Sequence, residues 1–149
     1  RVKEVMDMLK DIRGNHCVYD NELVEKLQLE KIYTKQIGTL SGGTKQRVNC
    51  AAAFLFNQEI IILDEPTAGL DPVSSEIVKN KILEEKEKGK LVIITSHIVS
   101  EVESLADRII YMLEGNIYFD NTKDELYRQT GMNSLNGAIA KLISSQSLN

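Results

Sequence analysis

The segment Ile60-Ile-Ile-Leu-Asp-Glu-Pro66 constrains the rest of the chain most tightly. Four consecutive apolar residues without alternation predict a strand buried on both faces, as in a parallel α/β sheet. Two adjacent carboxylates, Asp64 and Glu65, follow at its C-terminal end, and Pro66 helps to stop it. Ligands of open α/β sheets sit at the carboxyl ends of strands. An acidic pair there can hold a divalent cation with one side chain and activate water with the other. Taken alone, Asp-Glu reads more readily as a solvated turn, so the other segments have to decide.

With 149 residues the chain fits one domain with a real core. The net charge of −4 argues against nucleic acid or an anionic lipid surface as the main partner. Cys17 and Cys50 lack metal-ligand spacing and suggest reduced thiols in a cytoplasmic setting. No apolar run approaches the roughly 20 residues that span a bilayer, and no signal peptide is visible. The chain opens on Arg1 in what reads as helix interior, and is expected to belong to a longer protein.

Val2, Val5, Met6, Leu9 and Ile12 recur at helical spacing up to Gly14, a C-cap. Asp20 can cap a second helix carrying Leu23, Val24, Leu27 and Leu29. After a polar connection over 31–40, Ser41-Gly-Gly43 sits where an alanine-rich helix begins and runs to Phe56. A helix N-terminus offers unpaired N–H groups and the positive end of a dipole, and glycines let an anion come close. A plain Ser N-cap explains the tripeptide equally well. A phosphate-binding P-loop does not: Gly38-x4-Gly43 has half the spacing, but Thr44 stands where that loop needs Lys.

Asp71-Pro72 starts a helix over 73–88, with Val73, Ile77, Val78, Ile82 and Leu83 on one side. Its last turn, Glu84 to Lys88, reads as a solvated face. Leu91–Ile94 is a second buried strand leading to His97, a candidate ligand contact at a strand's carboxyl end. A short helix over 98–106 follows. Strands Arg108–Leu113 and Asn116–Phe119 join across Glu114-Gly115, and Asn121 or Thr122 caps a helix to about 129. The tail after Gly131 is weakly periodic.

Leu40-Ser-Gly-Gly43, Ile60–Glu65, Ala68-Gly-Leu-Asp71 and His97 occur in one order at one spacing. In this the chain resembles the nucleotide-binding domain of ATP-binding-cassette (ABC) transporters over roughly residues 36–120. The four elements correspond to the family's signature motif, Walker B strand, D-loop and H-loop. Thr44 departs from the Gln most common in the family, and nothing matches the Walker A loop or the glutamine-bearing loop that precede the signature motif.

The resemblance implies an α/β fold, a P-loop NTPase-like three-layer sandwich with a mostly parallel sheet, incomplete here, plus part of an α-helical subdomain. Residues 1–56 would be that subdomain, 57–130 the C-terminal part of the ATPase core, and 131–149 a tail. It further implies ATP and Mg²⁺ as ligands and a second such domain, bound head to tail, as partner. Asp64 would hold Mg²⁺ through water, Glu65 would be the base that polarises the attacking water, and His97 would contact the γ-phosphate. Ser41, Gly42 and Gly43 would clasp the γ-phosphate of the partner's ATP, and Asp71 would link the two sites. Transmembrane subunits would place the protein on the inner face of the cell membrane. The wording Thr67-Ala-Gly-Leu-Asp-Pro72 looks most like exporter-type ATPases of the drug- or ion-efflux kind.

Two other classes compete with a transporter ATPase. One is a soluble ABC-type ATPase of DNA repair, chromosome organisation or translation, against which the acidic charge and the two short helices before the signature motif count. The other is a non-catalytic interaction module. The strands at 91–94 and 108–113 would each have an open edge in such a partial sheet. They are expected to close on each other or, preferentially, to recruit a second copy.

Because the sequence holds no Gly-rich loop ending in Lys-Ser or Lys-Thr, these 149 residues by themselves should neither bind Mg-ATP tightly nor hydrolyse it. Calorimetric titration checks this, and a low-micromolar dissociation constant would contradict it.

Overall fold

Strand β1 (Ile60–Asp64) pairs in parallel with β2 (Leu91–Thr95), with Ile60 opposite Leu91 and Asp64 opposite Thr95. The computed structural model describes residues 1–14 and 18–146, so Cys17 lies outside the described residues. Burial of these strands on both faces is not observed. Ile61 and Leu63 are buried, but Ile60 and Ile62 are 56% and 70% exposed, and Leu91 and Ile93 across the register are 55% and 45% exposed. Helix α3 (Gly42–Phe54) packs on β1 and helix α4 (Pro72–Glu87) on β2, and the opposite face of the pair stays open.

These elements belong to the first of two units, Arg1–Thr95, which also holds α1 (Val2–Arg13) and α2 (Glu22–Lys26). The first N–H groups of α1 find carbonyls rather than a side-chain cap: Val2 N donates to Lys35 O and Lys3 N to Tyr33 O. Gly14 ends α1 with φ of 77°. The second helix is shorter than its leucine pattern predicts. Gln28 adopts a left-handed φ of 55°, so Leu29 falls in a separate 3-10 turn, although it stays buried. Asn21 is the N-cap, while Asp20 Oδ1 accepts from Glu22 N at 2.9 Å. Val2, Leu23, Leu29, Phe54 and Leu55 form the buried centre on this side, with Val78 and Ile82 buried on α4. Val73, placed on the inner face by spacing, is 70% exposed.

The last turn of α4 also departs from its solvated reading. Lys81 and Glu85 are each only 2% exposed. Lys81 Nζ lies 2.5 Å from Asp20, 2.6 Å from Glu22 and 3.2 Å from Glu85, and Glu85 is met in turn by Lys88 and Lys90. Burial opposes the Lys81 charge, but its three carboxylate hydrogen bonds outweigh burial and raise its pKa. Hydrogen bonds from Lys26 and then Lys81 hold Glu22 down to about 2. Burial raises Glu85, yet Lys88, Lys90 and Lys81 together bring it to about 2. The periodicity of α4 marks positions 81 and 85 as neighbours but cannot reveal that α2 and the segment just before it supply two more carboxylates.

The second unit, Ser96–Asn149, holds α5 (Val99–Leu105), β3 (Arg108–Leu113), β4 (Asn116–Thr122), α6 (Lys123–Thr130) and α7 (Leu135–Gln146). The antiparallel β3–β4 hairpin turns at Glu114 and Gly115, both with positive φ, as the Glu-Gly signal predicts. Thr122, not Asn121, caps α6, in a capping box with Glu125. Ile109, Leu126, Leu135 and Ala138 form the core of this unit. Glu103 organises it: Oε1 accepts from Tyr127 Oη at 2.7 Å and from Leu135 N at 2.8 Å, fixing the start of α7. Each unit holds a two-stranded sheet of its own, β1 with β2 in the first and β3 with β4 in the second.

The ion network predicts an acid-sensitive first unit. Glu22 and Glu85 have folded pKa values near 2 against an ordinary 4.5, so their contribution is complete above 4.5 and fades as pH falls toward 2. Because both lean on Lys81, the loss is roughly 3 kcal/mol in total rather than twice that. Urea unfolding at pH 7 and pH 3 measures it. Lys81→Met should cost about 3–5 kcal/mol at pH 7 by leaving carboxylates buried without their cation.

Candidate functional site

Ser41 stands just before α3 with extended dihedrals of −63° and 159°, and its Oγ accepts from Thr44 N at 3.3 Å. The hydroxyls of Ser41 and Thr44 are 2.8 Å apart, and Arg47 Nη2 donates to Thr44 Oγ1 at 3.2 Å. The N–H groups of Gly42 and Gly43 belong to the first turn, which has no carbonyl partners within the helix. The two glycines serve different ends. A Cβ at Gly42 would meet nothing within 4 Å, so that position leaves the approach to the helix end open. A Cβ at Gly43 would come 2.3 Å from Gly69 O, so the loop after β1 can approach α3 only if residue 43 has no side chain.

At the carboxyl end of β1, Asp64 is exposed and Glu65 half-buried. The Thr95 hydroxyl, one strand over, donates to Asp64 Oδ1 and fixes that carboxylate. Glu65 leaves the strand with φ of 45°, an unusual conformation for a side-chain-bearing residue. Its N–H donates to Thr95 O at 3.1 Å and to Thr95 Oγ1 at 3.2 Å. Its carbonyl accepts from Ala68 N at 3.1 Å and from Gln46 Nε2 at 2.9 Å. Gln46 also donates to Pro66 O at 3.2 Å, and the Cys50 thiol reaches the same oxygen at 3.2 Å. Burial pushes the Cys50 pKa up to about 11, keeping it a neutral donor.

Asp71 is the N-cap of α4. Its carboxylate accepts from Ser74 Oγ at 2.6 Å and from Ser74 N at 2.9 Å, and these bonds, with a smaller effect of Arg47, hold its pKa below the usual carboxylate range. Ser41, Gly42, Gly43, Asp64, Glu65 and Asp71 thus share the first unit, joined through the contacts of Gly43 and Gln46. His97 belongs to the second unit and is exposed there, just before α5.

Three supporting residues escaped the sequence reading. Gln46 and Cys50 lie one helical turn apart on α3, a spacing that places them on one face but does not name their acceptors. Thr95 touches Asp64 only because of the β1–β2 register. Among the described residues no group of three or more His, Cys, Asp or Glu is placed to hold a metal ion unaided. Mg²⁺ keeps several waters and takes one or two carboxylates with phosphate oxygens. Asp64, exposed and anchored by Thr95, fits such a hydrated ion.

A family model described as ABC transporter matches residues 7–68. The linearmycin resistance ATP-binding protein LnrL of Bacillus subtilis (strain 168) is 38% identical over 110 residues, covering 74% of this chain and 35% of LnrL. The doxorubicin resistance ATP-binding protein DrrA of Mycobacterium tuberculosis is 33% identical, covering 74% of this chain and 33% of DrrA. The chain therefore spans about a third of the length of these relatives. Among solved structures, one titled as the ATP binding subunit of an ABC transporter superposes with a TM-score of 0.85 at 25% identity, over 95% of this chain and 62% of the other. The two-stranded parallel sheet and its helices are part of the P-loop NTPase-like fold of such subunits, and with the ordered segments from Ser41 to Asp71 they place this chain in the ATP-binding family of ABC transporters.

Proposed function

We propose that this chain forms part of the ATP-hydrolysing subunit of a membrane transporter, and that ATP is split where two such domains meet head to tail. The observation that carries the proposal is the joining of Ser41–Gly43 to the Asp64–Glu65 turn through Gln46. Asp64, its carboxylate oriented by Thr95, would hold the Mg²⁺ ion. Glu65 accepts a proton from the attacking water as the bond to the γ-phosphorus forms and the bond to the leaving diphosphate breaks. Bound Mg²⁺ supplies charge neutralisation, which with positioning is most of what phosphoryl transfer requires. Ser41, Gly42 and Gly43 donate hydrogen bonds to the γ-phosphate of the partner domain's ATP, with the helix dipole adding to the attraction. His97 contacts a γ-phosphate oxygen, and Asp71 orders the loop that links the two sites.

Partners are a second ATP-binding domain and transmembrane subunits, with the domain peripheral on the inner membrane face. No helix among the described residues is long and apolar enough to cross a membrane by itself.

Glu65→Gln in the intact protein should slow ATP hydrolysis by about 10²–10⁴-fold while ATP-dependent domain association survives. Turnover near the parental rate would remove Glu65 from this role. Gly43→Ala should both destabilise the protein and abolish ATP-dependent association, because its methyl would displace the backbone at Gly69. Light scattering with and without Mg-ATP reads the association, and chemical unfolding reads the stability.

A further inference from the structure

Glu65 is one of three described residues other than glycine with positive φ, at 45°. A side-chain-bearing residue in that region costs on the order of 1 kcal/mol or more, and persists where its surroundings over-determine it. Both of its backbone groups are held. Thr95 takes the N–H, while the carbonyl receives Ala68 N and the side-chain amide of Gln46. The next carbonyl, of Pro66, receives the same amide group and the Cys50 thiol. The two donors from α3 thus grip two successive carbonyls of the turn.

The grip has a direction. Gln46 and Cys50 sit on the helix that Ser41 caps and whose first turn carries Gly42 and Gly43, Gln46 lying five residues after Ser41 and four after Gly42. An α-helix rises about 1.5 Å per residue and is stiff over this length, so a displacement of its N-terminus is carried to Gln46 with little loss. The Gln46 amide has two hydrogens and no charge, so it can serve two carbonyls at once without drawing on the Asp64 or Glu65 carboxylates.

We propose that Gln46 is a positioning residue for Glu65: by holding the Glu65 and Pro66 carbonyls it keeps Glu65 in the left-handed conformation that aims its carboxylate, and it ties that aim to the helix that clasps the partner's phosphate. Gln46 touches no reacting atom in this arrangement. The inference rests on the assignment of Glu65 as the base and adds a residue that sets its geometry.

Two substitutions test it: Gln46→Met, which removes the donors at similar volume, and Gln46→Glu, which keeps the shape but presents carboxylate oxygens to the two carbonyls. They are read on whichever stays folded by thermal melting. In the chain itself, without nucleotide, the backbone carbon chemical shifts of Glu65 should move away from left-handed values. In the intact protein kcat should fall about 10- to 100-fold, the scale of a misplacement near 1 Å, with KM for ATP within about 2-fold of the parent. A parental kcat with unmoved Glu65 shifts overturns the inference, and so does a loss confined to KM. Glu65→Gln serves as the reference. If it is inactive while Gln46→Met is normal, only the inference fails; if it turns over normally, the assignment of the base fails first.

Discussion

The first unit depends on a buried ammonium being fully matched. Lys81 is almost wholly withdrawn from water, a state that an unpaired charge would not survive. Three carboxylates surround it, from the segment before α2, from α2 itself and from the next turn of α4. The arrangement couples parts of the chain that are some sixty residues apart, since Asp20 and Lys81 can meet only when α2 lies against α4. Apolar contacts between these helices are permissive about register. A hydrogen-bonded ion cluster is not, because a slip of one residue strands charges of either sign in the interior. The cluster therefore sets where α2 sits on α4, and through the adjoining apolar core it constrains α3 as well.

With that frame fixed, α3 can do two things at once. Its N-terminus presents Ser41 and the glycines, and its second turn grips the Glu65–Pro66 turn. Neither task would be possible with a side chain at position 43, where the Gly69 carbonyl occupies the space. The two halves of the proposed chemistry, anion recognition and water activation, are thereby built onto one rigid element and the loop that element holds. Positioning groups on such an element suits a reaction in which the protein supplies mostly geometry and charge.

Much of this was legible in sequence because it is local. Ser41 before an alanine-rich run, Asp71-Pro72, and Glu114-Gly115 are caps and turns whose residue types are dictated within a few positions, and the structure has each of them. Segment order was enough to identify the family. What failed depended on context. The apolar run Ile60–Leu63 suits a strand covered on both faces, but burial is decided by what packs there, and in this unit helices cover one face. The Glu84–Lys88 run has the composition of a wet surface, yet Glu85 is drawn inward by Lys81. Gln46 and Thr95 were invisible because their acceptors lie 19 and 31 residues away and their roles exist only in the register of the folded chain.

The division between buried and exposed groups follows from the same physics. Ser41, Gly42, Asp64 and Asp71 are exposed, as groups that must meet a hydrated ion or a second molecule have to be. Ser74, which bonds the Asp71 carboxylate, is buried, as are Cys50 and Pro66 beneath the Glu65 turn. An exposed carboxylate has many rotamers of similar energy, and aiming it costs entropy unless the backbone beneath it is already fixed. Here the fixing is done by hydrogen bonds whose donors are neutral: a half-buried amide, a buried thiol and a hydroxyl at the strand end. Neutral donors hold geometry without cancelling the charge that the exposed groups need. A lysine in place of Gln46 could make similar bonds, but it would bring a positive charge beside Glu65 and favour its ionised form. That would weaken Glu65 as a proton acceptor, since basicity falls as the carboxylate is stabilised. The chain keeps its buried cation, Lys81, within a carboxylate cluster of its own, and uses uncharged side chains where the proposed proton transfer takes place.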